Sequence, residues 1–315
     1  MFENKLLKSF LSFLSKFFCF LPRKLSLYFA KVFAQIVYVI YLLTKYKKII
    51  FTHIKLALPV SDRIAKNIAK NHVIKLTKNI VDFMRFDKKQ IDKILDIVEV
   101  KGIEHFIEAE KMNKGIILIS AHYGCWELLG AIIKLKFQKT LNVLAQRPSN
   151  PIIDEMFYKL REKVGVITTY NDEGKKTFLN ILNALAKNQC VGFLIDQHGE
   201  SEKTFVDFFG KFVSVPSGFA YFALKTQAPI LPVFIKRRKD DTHEIKFYPI
   251  LEIRDDKDKD RELHRISQEA YKLIEKAIKE EPDEWLWTYN RWDKLSLDAM
   301  EIVNSMKKLK EVSNK

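Results

Sequence analysis

The chain of 315 residues is 47% apolar and 12% aromatic, which is enough to bury one hydrophobic core and close to the limit for two. A formal net charge of +15 favours an anionic partner, such as a nucleic acid, an anionic lipid surface or an acidic protein. The sequence contains no zinc-finger spacing, no glycine-rich aromatic RNA-binding motif and no Cys-x-x-Cys pair, which argues against a nucleic-acid partner, a structural zinc site and a disulfide framework.

The N-terminal 48 residues predict a membrane-associated element. Residues 1–24 place apolar side chains at helical spacing with lysines between them, as in a basic amphipathic helix suited to an anionic membrane surface. Residues 25–43 are long and apolar enough to span a bilayer, but they contain Lys31 and Gln35. A full span and a shallow anchor therefore both stay open, and a soluble helical hairpin that covers the core is the alternative.

Residues 50–112 predict helices with a solvated basic face. Basic and apolar residues alternate there at helical spacing, and Ser61 or Asp62 is the candidate N-cap that follows Pro59.

The segment 115–127, GIILISAHYGCWE, organises the rest of the chain. Its apolar run predicts a strand buried on both faces, which stops before His122. At roughly 100° per residue, five residues of continuous helix would point His122 and Glu127 in different directions. The sequence therefore predicts a strand, a tight turn at Gly124 and a helix that opens near Glu127.

This arrangement predicts a general base. We expect Glu127 to accept the Nδ1 proton of His122, which leaves Nε2 to deprotonate a bound hydroxyl group directly. The alternative is a buried histidine and a helix-opening glutamate that are close by chance. Cys125 is a second candidate nucleophile, although a small packing residue is the favoured interpretation.

Polar side chains follow two further apolar segments. Residues 141–151 predict a strand that ends at Arg147, which is a candidate to clamp a phosphate or, alternatively, to cap a nearby carbonyl group. Residues 190–197 predict another strand, with Asp196 and Gln197 at its end. Because parallel strands deliver their carboxyl ends to one edge of a sheet, the sequence predicts an α/β fold with a site at that edge.

These motifs resemble a known family. His122 and Glu127 form a His-x-x-x-x-Glu pattern that resembles the signature of the glycerolipid acyltransferase superfamily. The surrounding segment, SAHYGCWE, is most similar to that of the late acyltransferases of lipid A biosynthesis. Relatives usually carry Phe and Asn where this chain has Tyr123 and Cys125. The resemblance covers roughly residues 50–294. Its other matching residues are Arg147, Asn150 and Asp154, which stand here as Arg-Pro-x-Asn-Pro-x-x-Asp, one residue shorter than the family pattern Arg-Pro-x-x-Asn-Pro-x-x-Asp; Asp196 and Gln197; the Phe-Phe-Gly of Phe208, Phe209 and Gly210; and the Trp-x-Trp of Trp285 and Trp287.

The resemblance implies a mixed, largely parallel central sheet flanked by helices, with a membrane-associated N-terminal segment. The expected domains are an anchor at 1–48, an α/β acyltransferase domain at 49–295 and a polar tail at 296–315. Together with the scattered cysteines, it leads us to expect attachment to the inner membrane, with the catalytic domain on the cytoplasmic side.

The resemblance also implies the reaction. We expect transfer of a fatty acyl chain from acyl carrier protein to a hydroxyl group of a Kdo-lipid IVA precursor, with no metal and no organic cofactor. His122 and Glu127 are the expected catalytic residues. The expected substrate-binding residues are Arg147, Asn150, Asp154, Asp196, Gln197, Phe208, Phe209 and Gly210, with the phenylalanines lining an acyl-chain tunnel or belonging to the ordinary core.

Two alternatives stay open at this point. The first is an acyltransferase that acts on another phospholipid or glycolipid acceptor. The second is a non-catalytic module whose basic face docks on lipid. A soluble hydrolase is less favoured, because the sequence lacks the Gly-x-Ser-x-Gly elbow.

Overall fold

The computed structural model describes residues 2–198 and 204–292. Nine strands lie in these ranges: β1 (Val98–Lys101), β2 (Ile116–Ser120), β3 (Leu141–Ala145), β4 (Ile167–Tyr170), β5 (Cys190–Leu194), β6 (Phe205–Phe208), β7 (Lys211–Ser214), β8 (Ile230–Arg237) and β9 (His243–Phe247). The α-helices of these ranges are α1 (Phe2–Phe20), α2 (Arg23–Leu42), α3 (Tyr46–Ala57), α4 (Asp62–Met84), α5 (Lys88–Leu95), α6 (Ile103–Lys111), α7 (Trp126–Leu135), α8 (Pro151–Lys163), α9 (Lys175–Ala186), α10 (Gly218–Thr226) and α11 (Lys259–Glu280).

Seven of the strands form one mixed sheet in the order β1-β9-β8-β2-β5-β3-β4, and β6 and β7 form a separate antiparallel hairpin. Neighbouring strands of the large sheet run parallel except for β8 and β9, which form an antiparallel pair. The predicted mixed, largely parallel sheet flanked by helices is therefore confirmed.

Strand β2 is apolar throughout because hydrophobic core covers both of its faces. Ile117 and Ile119 pack into a cluster that includes residues of α9, α10 and α11. Ile116 and Leu118 point the opposite way, into a cluster that includes residues of α6, α7 and α8. Since β5 and β8 flank β2 on its two edges, the end of β2 lies in the middle of the sheet.

The N-terminal helices attach to this domain through α4. Helix α2 packs along α4 with Leu27, Ala30 and Ala34 buried, while most of its opposite face is apolar and exposed. Within the described ranges, α2 is the helix with the length and composition to cross a membrane. The expected domain boundary after residue 48 falls within α3, and the expected tail at 296–315 lies outside the described residues.

Candidate active site

The centre of the site is a strand, turn and helix, as the sequence predicts. Strand β2 ends at Ser120, and α7 begins at Trp126. Gly124 has φ +62°, in the left-handed region that favours glycine, and a Cβ atom there would overlap the Ile235 carbonyl group of β8. The turn can therefore lie directly against β8 because residue 124 has no side chain.

His122 is oriented by Asp196. Its Nδ1 lies 2.8 Å from Asp196 Oδ1, and its backbone N–H donates to the same oxygen at 3.0 Å. The indole Nε1 of Trp285 donates to Asp196 Oδ2 at 2.8 Å. Asp196 follows the end of β5, the strand that pairs with β2, so the sheet itself brings the two side chains together.

The surroundings of Asp196 keep its carboxylate ionised. Burial raises its pKa, but the attraction of His122 and the hydrogen bonds from His122 and Trp285 outweigh that effect, so the pKa lies below its ordinary value. An ionised acceptor next to Nδ1 favours the tautomer of His122 with its proton on Nδ1. Nε2 then carries the lone pair, on a side chain that is 20% exposed.

The predicted hydrogen bond between Glu127 and His122 is wrong. Glu127 lies in the first turn of α7, as expected, but its two carboxylate oxygens accept from Arg161 of α8, at 2.6 and 2.8 Å. Both side chains are largely buried, and a two-point pair of this kind fixes direction as well as distance. Glu127 therefore holds α7 to α8, and Asp196 takes the place next to the imidazole.

A segment near the C-terminus completes the site, and sequence reasoning did not predict it. The Gly124 backbone N–H donates to the Glu284 carbonyl oxygen at 3.0 Å, and the Leu286 N–H donates to the His122 carbonyl oxygen at 2.9 Å. Between these two bonds, Trp285 reaches Asp196. Residues 284–286 thus contact both the turn that carries His122 and Gly124 (the catalytic loop) and Asp196, the acidic partner of His122.

Arg147 is enclosed by acidic side chains, contrary to its predicted role as a phosphate clamp. Its Nε, Nη1 and Nη2 lie 3.1, 3.4 and 3.1 Å from oxygens of Asp172, Asp154 and Glu173. Its guanidinium group also lies 3.6 Å from the centre of the Tyr170 ring. Three carboxylates around one guanidinium make the local charge negative, which disfavours a phosphate there.

Asn150 and Asp154 have structural roles in the same corner. The Asn150 side chain accepts from the N–H groups of Ile152 and Ile153 and so caps α8. Asp154 accepts a hydrogen bond from the Tyr170 hydroxyl group at 2.7 Å. The Arg-Pro-x-Asn-Pro-x-x-Asp segment therefore joins the end of β3 to α8 and β4.

The Phe-Phe-Gly motif forms a turn. Phe208 is 0% exposed and packs against Trp285, Trp292 and other aromatic rings, as the predicted alternative of an ordinary core residue requires. Phe209 and Gly210 both have positive φ between the antiparallel strands β6 and β7, as a two-residue type I′ turn requires. The Phe209 N–H donates to Glu275 of α11.

Gln197 and Cys125 lie beside this centre. Gln197 is half-buried at the same strand end as Asp196. Burial raises the pKa of Cys125 to about 12, so its thiol stays protonated and is not the nucleophile. Among the described residues, no group of three or more His, Cys, Asp or Glu side chains has an arrangement that would hold a metal ion.

Comparison with known proteins gives a consistent set of relatives. A family model described as bacterial lipid A biosynthesis acyltransferase matches residues 4–294. The chain is 23% identical to a lipid A biosynthesis acyltransferase of Haemophilus influenzae, with 64% of this chain and 59% of that protein covered. It is 24% identical to the lipid A biosynthesis palmitoleoyltransferase of Escherichia coli (62% and 61% covered) and 25% identical to a phosphatidylinositol mannoside acyltransferase of Mycobacterium tuberculosis (46% and 44%). The matched part thus spans about three fifths of the two lipid A relatives and less than half of the third.

Proposed function

Since the chain belongs to the bacterial lipid A biosynthesis acyltransferase family, we propose that it transfers a fatty acyl chain from acyl carrier protein to a hydroxyl group of a Kdo-lipid IVA precursor. The observation that carries this proposal is the pair of His122 and buried Asp196 at the carboxyl edge of the sheet. A histidine oriented in this way is suited to deprotonating a hydroxyl group.

The proposed reaction needs one base and no covalent enzyme intermediate. Nε2 of His122 removes the proton from the acceptor hydroxyl group, and the oxygen attacks the thioester carbonyl carbon. The new C–O bond forms as the C–S bond breaks, and the thiol leaves with the proton that His122 had taken up. Asp196 stabilises the imidazolium ion between these two steps through its contact with Nδ1.

We propose that the enzyme works at the inner membrane, with its catalytic domain on the cytoplasmic side. The exposed face of α2 supports membrane attachment, because it presents large apolar side chains, among them Tyr28, Phe29, Phe33, Ile36 and Ile40. The exposed phenylalanines and the lysines of α1 fit an interface with anionic lipid in the same way.

The test is an assay of purified full-length protein with a panel of acyl carrier proteins and Kdo-lipid IVA, with products identified by mass. We expect an acyl increment with the wild type and its loss in a folded His122→Ala variant. Acyl coenzyme A in a parallel reaction tests the dependence on the carrier protein. An unchanged increment in His122→Ala would contradict the proposed base.

A second acceptor class is favoured by one observation, the similarity to a phosphatidylinositol mannoside acyltransferase. A mannosylated phosphatidylinositol is therefore included as an acceptor in the same assay. Transfer to that lipid, with none to Kdo-lipid IVA, would retain the reaction and replace the substrate. Absence of transfer to any acceptor, with intact binding to lipid, would favour a non-catalytic membrane module.

A further inference from the structure

A cationic cleft of about 740 Å³ lies between α2, α4 and the turn that joins β8 to β9. Seven lysine and arginine side chains and five carboxylates line it. Lys78 pairs with Asp241 at 2.7 Å, and Lys75 pairs with Asp283 at 2.9 Å. The seven cations exceed the five carboxylates by two, and the charged lining residues that form no ion pair within the described part of the chain are Lys31, Lys239 and Asp240.

The floor of the cleft is fixed. Arg237 is buried and donates to Asn79 Oδ1 at 2.7 Å and to Asp82 Oδ2 at 2.7 Å. Asp82 also accepts two hydrogen bonds from Arg23 of α2. The Nη1 of Arg237 makes no hydrogen bond and lies 3.6 Å from Asp241, beneath the cleft. The charged groups are therefore preorganised by contacts among α2, α4 and β8.

The cleft lies on the same edge of the sheet as His122. Strand β8 runs parallel to β2, so Arg237 and the residues after it leave the sheet beside the catalytic loop. Lys75 Nζ lies 2.6 Å from Glu284, the residue whose carbonyl oxygen holds the Gly124 N–H. Ligands of parallel α/β sheets bind at this edge, so a group held in the cleft is close to the reacting centre.

One wall of the cleft continues into apolar surface. Lys31 projects from the exposed face of α2, where Tyr28 and Val32 are exposed beside it. Positive charge bordered by apolar side chains matches an amphiphile with an anionic head and hydrocarbon chains. The Arg147 corner lacks this character, since three carboxylates surround its single guanidinium group.

We propose that this cleft binds the phosphate-bearing headgroup of the acceptor lipid and thereby places the acceptor hydroxyl group near His122. The proposal rests on the proposed function and names the residues that recognise the acceptor. Lys31 and Lys239 supply positive charge that forms no ion pair among the described residues. Lys75 and Lys78 line the wall that α4 forms.

The test uses the variant Lys31→Gln/Lys239→Gln, which removes two exposed charges and breaks no ion pair. Its KM for Kdo-lipid IVA is measured in neutral detergent micelles without phospholipid. We expect KM to rise about 30-fold, which is the contribution of two lysines near an anionic lipid headgroup. With an enzymatically dephosphorylated acceptor, we expect the KM difference between wild type and variant to disappear.

The matched control is Lys187→Gln/Lys225→Gln. Both lysines are exposed and precede β5 and β8, so they lie at the opposite edge of the sheet. This variant removes the same charge and should keep the wild-type KM. Equal KM values for the cleft variant and the control, in a reaction that the wild type performs, would overturn the proposal and leave the proposed function intact.

A binding measurement tests the cleft independently of the reaction. Flotation with phosphatidylcholine vesicles that contain 10 mol% Kdo-lipid IVA is compared with vesicles that contain phosphatidylglycerol instead. Weaker binding of the cleft variant to the first vesicles alone supports the proposal, even if no transfer is detected with the wild type. Equal weakening on both kinds of vesicle would assign the cleft to bulk anionic phospholipid and overturn it.

Discussion

Asp196 is buried, yet it accepts hydrogen bonds from the His122 ring, the His122 backbone and the Trp285 indole. Each donor favours the ionised carboxylate and so offsets the cost of burying the charge. The ionised carboxylate in turn fixes the tautomer of His122. We therefore expect catalysis to depend on the charge of Asp196 as well as on its shape.

Asp196→Asn tests this dependence, because it keeps the size of the side chain and removes its charge. We expect acyl transfer to fall by about 10²–10⁴-fold, the usual contribution of a positioned base, while the protein stays folded. Steady-state kinetics and circular dichroism measure the two effects. A folded variant with wild-type turnover would show that His122 acts without Asp196.

Trp285→Phe should make stability less sensitive to acid. The pKa of folded Asp196 is lowered, so its stabilising contribution is present at neutral pH and is lost as the pH falls through that lowered value. Without the indole N–H, the pKa of folded Asp196 rises toward its value in the unfolded chain, so the variant has less of this contribution to lose in acid. We expect a cost of about 1.5–3 kcal/mol at pH 7 from the hydrogen bond to a charged group, and a smaller cost at pH 3. Urea unfolding at both pH values measures it.

Trp287→Phe is the matched control for that experiment. Trp287 is buried like Trp285, but its Nε1 donates to the neutral carbonyl oxygen of Pro282. Its cost should therefore be independent of pH. A pH dependence equal to that of Trp285→Phe would remove Asp196 from the explanation.

At the scale of residues, the sequence predicts that His122 and Asp196 both lie at strand ends on one edge of the sheet. It pairs His122 with Glu127, however, whereas the carboxylate next to Nδ1 is that of Asp196. The first turn of α7 is local and readable from spacing. The contact between Asp196 and His122 depends on the pairing of β2 with β5, which joins residues 74 positions apart. A single sequence does not give the order of the strands in the sheet, so this contact is not predictable from it.

At the scale of elements, the ion pair between Glu127 and Arg161 ties α7 to α8. Removing either partner leaves a mostly buried charge, so we expect Glu127→Ala and Arg161→Ala each to destabilise the fold by about 3 kcal/mol. The double variant should cost little more than either one. A double-mutant cycle by urea unfolding measures the coupling, and additive costs would show that the two side chains act separately.

Two glycines with positive φ make a second comparison between elements. Gly210→Ala should cost about 1 kcal/mol, because a Cβ atom in that hairpin turn meets nothing within 4 Å and only the backbone is strained. Gly124→Ala should cost more and abolish most activity, since its Cβ atom would displace the catalytic loop from β8. Thermal unfolding and the transfer assay compare them. Equal costs would contradict the close approach to β8.

The predictability of elements follows the length of their apolar runs. Strands β2, β3 and β5 lie within predicted strands, and Ser61 caps α4 as one of the two predicted candidates. Strands β1 and β4 have only four residues each and lack a continuous apolar run, so periodicity does not reveal them. The prediction for the Phe-Phe-Gly motif concerns its phenylalanine side chains, whereas the structure shows that the backbone of Phe209 and Gly210 forms the turn between β6 and β7.

At the scale of the whole molecule, the apolar surface is concentrated on α1 and α2. Phe29→Ser/Phe33→Ser should weaken binding to anionic vesicles by about tenfold or more, because both rings are exposed and would lose burial in lipid. Ile107→Ser/Leu179→Ser, which alters equally exposed residues of α6 and α9, should bind like the wild type. Vesicle flotation measures both, and equal losses would argue against α2 as the membrane contact.

The contacts of residues 284–286 have a consequence for biosynthesis. Trp285 lies 89 residues after Asp196 in the chain, so the ribosome makes His122 and its acidic partner long before the segment that secures them. A nascent chain can form β2 and α7 early, but the backbone bonds from Glu284 and Leu286 close only when that segment has emerged. We therefore expect the surroundings of His122 to be assembled only after most of the domain has been synthesised.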